Sequence, residues 1–172
     1  AWTGFAGQTL TADLAEGMRL DRPGGVIVNE VYPGGPAERA GIHAGDIVLA
    51  VDGRTVADWE GLRYRVATEE LGDEVSFTLF RDGETVTTAL PLEAPTETPP
   101  RNEITLQGPH PLAGCVIASL SPALSEEVSL PGSWEGVIVL RIARRSPAGQ
   151  LGFRPGDIIY SVNGDTYKTS DA

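Results

Sequence analysis

The sequence predicts a mainly β protein with short helices (α+β), organised as two small, partly open barrels or sandwiches in tandem, the second of them truncated. Three observations lead there. The stretch PAERAGIHAGDIVLAVDG from Pro36 to Gly53 returns as PAGQLGFRPGDIIYSVNG from Pro147 to Gly164. Between the copies, residues 93–101 read EAPTETPPR, with three prolines and no large apolar side chain. Elsewhere, short apolar runs alternate with Gly-, Pro-, Asn- and Asp-bearing turns, which is the pattern of strands and tight connections.

At a shift of 111 residues, Gly25-Val26-Ile27-Val28 falls on Gly136-Val137-Ile138-Val139 and Pro36-Ala37 on Pro147-Ala148. Gly41, Gly45-Asp46-Ile47, Val51 and Gly53 likewise meet Gly152, Gly156-Asp157-Ile158, Val162 and Gly164. Upstream, setting GFAGQTL on PLAGCVI places Gly7 on Gly114, a shift of 107. That alignment implies about four extra residues in the second copy, near Pro131-Gly132-Ser133-Trp134. The first domain is expected over residues 1–92, a linker over 93–101 and the second domain over 102–172. The helix and hairpin that follow Gly53 have no counterpart after Gly164, so the second domain is expected to be incomplete. A proline-rich linker extends at ~3.1 Å per residue, enough to separate the domains by roughly 25 Å.

In order along the first domain, Phe5 to Leu10 suits a strand, and Thr11 can cap a short helix running to about Gly17. Val26 to Val31 is apolar at nearly every position, as in a strand buried on both faces. Pro36 sits at a first helical position with Gly41 as the stop, and Ser146, Pro147 and Gly152 repeat the device. Ile47 to Val51 is a strand ending in the Asp52-Gly53 turn. Asp58 can cap a longer helix to about Glu69, on which Trp59, Leu62 and Val66 form an inward stripe. Val75 to Leu79 and Thr85 to Leu90 flank Arg81-Asp82-Gly83, a hairpin turn.

Composition removes several function classes. The 172 residues carry a net charge of −11, which opposes the approach of nucleic acid or an anionic membrane surface. No apolar run reaches the ~18 residues of a membrane span, so no membrane insertion by this chain is expected, and any export signal is expected outside it. The single cysteine, Cys115, permits neither an internal disulfide nor a cysteine-rich zinc site. No cofactor and no metal are expected.

The combination GGVIVNEVYPGGPAERAGIHAGDIVLAVDGRTV, a capped helix and GDEVSFTLFRDG resembles a PDZ domain of the kind attached to bacterial HtrA (Deg or Do-like) periplasmic serine proteases. The likeness covers nearly all of residues 2–92, and the tandem arrangement extends it to 172. It implies a module that holds peptide C-termini or extended segments of unfolded proteins, an upstream protease domain as partner, and a periplasmic location; assembly into an oligomer is left open. In such domains a peptide adds itself to a strand edge while alternate side chains enter pockets. The family's carboxylate-binding loop falls on Trp2-Thr3-Gly4-Phe5, with Thr3 where a bulky aliphatic residue is usual. Glycine lets backbone N–H groups converge on one anion. The resemblance therefore nominates Thr3, Gly4, Phe5, Ala6 and Gly7 on the strand side and Arg63 and Val66 on the helix side. Leu112, Ala113, Gly114 and Cys115 form the second domain's candidate loop.

Other residues have structural readings. Asp46 and Asp157 follow glycine and precede a strand, which suits turn stabilisation. His43 and His110 have no metal-ligand spacing to other donors and read as surface residues. Ser121 and Ser146 precede proline at helix starts and read as caps, Cys115 reads as a buried apolar thiol, and Trp134 is expected to be partly exposed in its inserted loop. TGFAG itself has a plainer reading as a glycine turn. Nothing resembling GNSGG or GxSxG supplies an activated nucleophile, so the chain is expected to be non-catalytic, the regulatory or substrate-recognition portion of a serine endopeptidase. The alternatives are a stand-alone interaction or secretion scaffold, and the PDZ segment of an intramembrane or C-terminal-processing protease.

Overall fold

The computed structural model describes residues 1–21 and 23–171, and these form two compact units that divide between Pro95 and Thr96. In the first unit the chain runs through β1 (Phe5–Thr9), α1 (Ala12–Gly17), β2 (Val26–Val31), α2 (Pro36–Arg39), β3 (Ile47–Val51), β4 (Arg54–Thr55), α3 (Trp59–Thr68), β5 (Glu74–Arg81) and β6 (Glu84–Pro91). The expected caps are in place: the Thr11 hydroxyl accepts the Leu14 N–H, and the Asp58 carboxylate accepts the Gly61 N–H at 2.6 Å. An antiparallel sheet orders these strands β1-β2-β3-β5-β6, with the short β4 paired to β3. The sheet stays open, with β1 and β6 at its edges. A single bridge from the Trp2 N–H to the Glu93 carbonyl, 2.8 Å, brings the chain ahead of β1 to the end of β6.

Strand alternation then sorts the side chains. One face sends Val26, Val28, Val48, Val51, Phe77 and Leu79 into the main core beneath Leu62 and Val66 of α3. The opposite face sends Ile47, Leu49 and Phe80 toward Leu10, Ala15 and Leu20, forming a smaller cluster. A cavity of about 630 Å³ opens on that second face, lined by residues that include Leu10, Leu20, Ile47, Leu49, Val56 and Phe80. β2 departs from the expectation of two-sided burial: only Val26 and Ile27 are paired with β3, and Asn29 and Glu30, beyond that pairing, are exposed.

The second unit contains β7 (Ile104–Thr105), β8 (Cys115–Ser119), α4 (Pro122–Glu127), β9 (Val137–Ile142), α5 (Pro147–Gln150), β10 (Ile158–Ile159), β11 (Ser161–Val162) and β12 (Asp165–Thr166). Its main sheet is ordered β10-β9-β8-β7, and β11 and β12 form a separate hairpin. Ser121 and Ser146 cap α4 and α5 through the Leu124 and Gly149 N–H groups.

This layout corrects the upstream repeat register. β1, Thr11 and α1 correspond to β8, Ser121 and α4 at a shift of 110, which pairs Gly4 with Gly114 and Leu10, Leu14 and Leu20 with Leu120, Leu124 and Leu130. The second copy therefore holds one extra residue before β9, where four were expected. Trp134, expected to be partly exposed, is buried at 6% exposure. The proline-rich segment is tied down at both ends: Glu93 bridges Trp2, the Thr96 carbonyl accepts the Ala123 N–H, and the Arg101 carbonyl accepts the Ser119 N–H.

Candidate functional site

The loop ahead of β1 is shaped by packing around Gly4. Its φ of +77° lies in the left-handed region, and a Cβ added there would stand 2.7 Å from Pro36 Cδ, the first residue of α2. Glycine is thus required twice, for conformation and for close approach. The Gly4 carbonyl accepts the Tyr32 N–H at 2.8 Å, and the Trp2 ring meets Tyr32 edge-on at 5.3 Å. Thr3 is buried, with its hydroxyl directed at the Phe5 carbonyl, 3.5 Å away. Phe5 is 3% exposed and packs its ring against Trp59 and Phe77, at centroid distances of 5.8 and 6.1 Å. Ala6 is buried beside it, and the β1–β2 register shifts between Ala6 and Gly7.

Among the described residues β1 has a strand neighbour on one side only, β2. α3 lies over β1, pinned by a 3.0 Å hydrogen bond from the Trp59 N–H to the Thr9 hydroxyl. Val66 is buried in the core at 2% exposure, and Arg63 is half-buried on the same helix. The residues nominated on the strand side and on the helix side thus belong to adjoining elements. One further residue of α3 stands over β1. Trp59, expected on a core stripe, does pack on the core, yet it is half-exposed and also stands over β1: a Cβ at Gly7 would lie 3.3 Å from Trp59 Cε3. The available signal was spacing, since Trp59, Arg63 and Val66 stand at i, i+4 and i+7 on one helix face.

In the second unit the Leu112-Ala113-Gly114-Cys115 loop repeats this construction. Gly114 has a φ of +94°, and a Cβ there would fall 2.2 Å from the Ser146 Cβ, just ahead of α5. Its carbonyl accepts the Ala143 N–H at 2.8 Å, as that of Gly4 accepts Tyr32. Cys115, in the place of Phe5, is fully buried, and burial pushes its thiol pKa up. Unlike β1, β8 is flanked on both sides, by β9 and by β7.

Asp46 holds a turn. It is 2% exposed and accepts the His43 N–H at 2.8 Å and the Arg81 Nε at 2.7 Å. Burial pushes its pKa up, but the Arg81 guanidinium and the His43 N–H outweigh this and leave it below the usual value. Asp157 makes the matching bond to the Arg154 N–H and is exposed. His43 is exposed, and the His110 ring contacts the Gln107 carbonyl. Among the described residues no group of His, Cys, Asp and Glu could hold a metal ion, and no helix is long and apolar enough to cross a membrane.

A PDZ-domain family model matches residues 7–92, and a second PDZ-domain model matches residues 138–170. Among curated proteins, the chain is similar to the periplasmic serine endoprotease DegP of Salmonella typhimurium, 30% identical over 93% of this chain and 31% of that protein. It is similar to the periplasmic pH-dependent serine endoprotease DegQ of Escherichia coli, 30% identical over 94% of this chain and 33% of that protein. A probable periplasmic DegP-like endoprotease of Rhizobium meliloti is 32% identical over 99% of this chain and 34% of its own length. The chain spans about a third of the length of these relatives. A solved variant of the HtrA-type protease AlgW with a decapeptide is 31% identical, with a TM-score of 0.52, over 57% of this chain and 30% of that one. The chain belongs to the PDZ-domain family, and its two units are related to the PDZ region of DegP- and DegQ-type serine proteases.

Proposed function

We propose that the first unit is a peptide-recognition module. It takes a C-terminal or extended apolar segment of an unfolded protein as an added strand along β1. The observation that carries this reading is the open edge of β1 beside α3, with the Gly4 loop at its start. In it, the N–H groups of the Thr3-Gly4-Phe5 loop face the terminal carboxylate, Phe5 and Val66 line the last-residue pocket, and Ala6 and Gly7 pair with the peptide backbone. Trp59 and Arg63 contact residues further from the terminus. The AlgW variant solved with a decapeptide supports a peptide as the ligand class.

Magnitudes point to modest affinity. About four strand-addition bonds and a charge-assisted carboxylate contact contribute roughly 1 and 1.5–3 kcal/mol each, and two buried side chains roughly 1.5–3 each. Against the lower end, ~4 kcal/mol, of the association cost, a net of roughly 5–9 kcal/mol remains, which corresponds to dissociation constants from micromolar to just below millimolar. The chain acts as the non-catalytic part of a periplasmic HtrA-type serine endopeptidase, downstream of its protease domain; the names of its relatives support both the attachment and the location. Calorimetry with a peptide ending in valine or phenylalanine, as free acid and as C-terminal amide, tests the carboxylate clamp. The amide is expected to bind about tenfold or more weakly, and equal affinities would refute the clamp.

A further inference from the structure

We propose that the second unit carries a second peptide-binding edge, already filled by the chain's own residues Glu103 to Leu106, and that the ligand class of this site is an extended segment with aliphatic side chains at its last and third-from-last positions. The proposal rests on the strand-addition reading of the first unit and extends it to β8.

The position of β7 carries the argument. β8 corresponds to β1 in the repeat, and the side of β8 away from β9 corresponds to the edge that β1 leaves open. β7 occupies that side, antiparallel, with Ile104 opposite Ile117 and Thr105 opposite Val116. The Leu106 N–H donates to the Cys115 carbonyl at 2.8 Å, and the Leu106 carbonyl accepts the Gly114 N–H at 2.9 Å. Cys115 stands for Phe5 and Gly114 for Gly4. Leu106 therefore sits where a bound peptide's last residue would sit, with its carbonyl oxygen in the place of one terminal carboxylate oxygen. The polarity agrees as well: β7 runs toward the glycine loop, as a peptide must to present its C-terminus there.

The side chains follow the alternation of a strand-added ligand. Ile104 and Leu106 pack on the cluster of Cys115, Ile117, Val137, Val139 and Ala148, whereas Thr105 between them is exposed. Further contacts hold the segment upstream: the Arg101 carbonyl accepts the Ser119 N–H at 2.7 Å, the Asn102 carbonyl accepts the Ser170 hydroxyl at 2.7 Å, and Glu103 pairs with Arg141 at 3.1 Å. Only a short loop joins Leu106 to Gly114. Such a tether gives an effective concentration on the order of millimolar, so a free peptide of micromolar to millimolar strength is excluded at ordinary concentrations.

The test uses the whole chain and a free-acid peptide, Asn-Glu-Ile-Thr-Leu. In the variant Ile104→Ser/Leu106→Ser the internal ligand loses both anchors. Hydrogen exchange reads the two edges separately, as protection of residues 5–9 and of residues 115–119. At sub-millimolar peptide the unaltered chain is expected to show no added protection over 115–119, and the released variant to gain it, with one more equivalent bound in calorimetry. If release unfolds the second unit, the peptide is expected to restore its protection in trans. A released variant that shows neither added protection nor restoration overturns the proposal, as does peptide protection of 115–119 in the unaltered chain. Lack of protection over 5–9 would refute the reading of the first unit and leaves this result legible on its own.

Discussion

Replacing Arg81 with methionine removes a charge from a carboxylate that has almost no access to water. The Asp46 side chain is 3% exposed and that of Arg81 28%. Arg81 reaches Asp46 through Nε at 2.7 Å and Nη2 at 2.5 Å, and Nη2 also donates to the Gly41 carbonyl at 2.7 Å. Methionine keeps the packing of the stem and leaves Asp46 with the His43 N–H. Breaking a buried pair costs about 3–5 kcal/mol; since the Arg81 side chain is 28% exposed, the loss expected here is about 2–3 kcal/mol. The Asp46 pKa lies below its ordinary value of 3.8, so its contribution is fully present above the unfolded-state value and is lost as pH falls through the folded one. Without Arg81, burial acts on Asp46 with less opposition and pushes its pKa up, so the variant is expected to gain stability relative to the parent as pH falls toward 4. Urea unfolding in a Trp134→Phe background, followed by the fluorescence of Trp2 and Trp59, reads the first unit alone. The exposed Asp157, in the second unit, is the control; followed there by hydrogen exchange of β8, its change to Asn is expected to lose under about 1 kcal/mol. An Arg81→Met loss below about 0.5 kcal/mol, or an unchanged acid slope, would refute the reasoning.

Gly4→Ala forces a side chain into the left-handed region and against Pro36; an expected loss of about 1–3 kcal/mol, measured by urea unfolding, is accompanied by weaker binding of the free-acid peptide. Trp59→Leu removes the ring contact with Phe5, so urea unfolding should show a loss of about 0.5–1.5 kcal/mol, and calorimetry a weaker peptide affinity through loss of the peptide contact proposed for the ring. Cys115 is buried with a raised thiol pKa; a disulfide reagent at pH 7 is expected to label it far more slowly in the folded chain than in urea. Incubated with unfolded casein, the chain should leave it intact on gels, and cleavage abolished by one serine substitution in this chain would contradict the non-catalytic assignment.

The elements most legible in the sequence are those set by local chemistry. Thr11, Asp58, Ser121 and Ser146 each accept an N–H in the first turn of the helix they precede. Those bonds join residues three apart, so composition at the cap nearly decides them. The β5–β6 hairpin follows in the same way from its turn residues. The upstream repeat register was harder, because short strings of glycine, alanine and aliphatic residues align almost equally well at several shifts. The matching strands and helix caps, with the packing of Gly4 on Pro36 and of Gly114 on the residue ahead of Pro147, separate the true partners. Trp59 was ambiguous for a related reason: one helix face touches both the core and the adjoining strand, and periodicity cannot divide the two.

The sequence by itself determined the doubled architecture, the helix starts and stops, the location of the glycine loops and the absence of a recognisable nucleophile motif, because each rests on residue identity at short range. The tertiary structure decided which strand edges are open. β1 and β8 occupy the same place in the repeat, and their glycine loops are built alike, yet among the described residues β1 has β2 alone as a strand neighbour and β8 also carries β7. Strand pairing is made by backbone groups that every residue but proline possesses. The choice of partner for an edge therefore leaves little trace in side-chain identity, and it is settled when the rest of the fold brings a segment within reach.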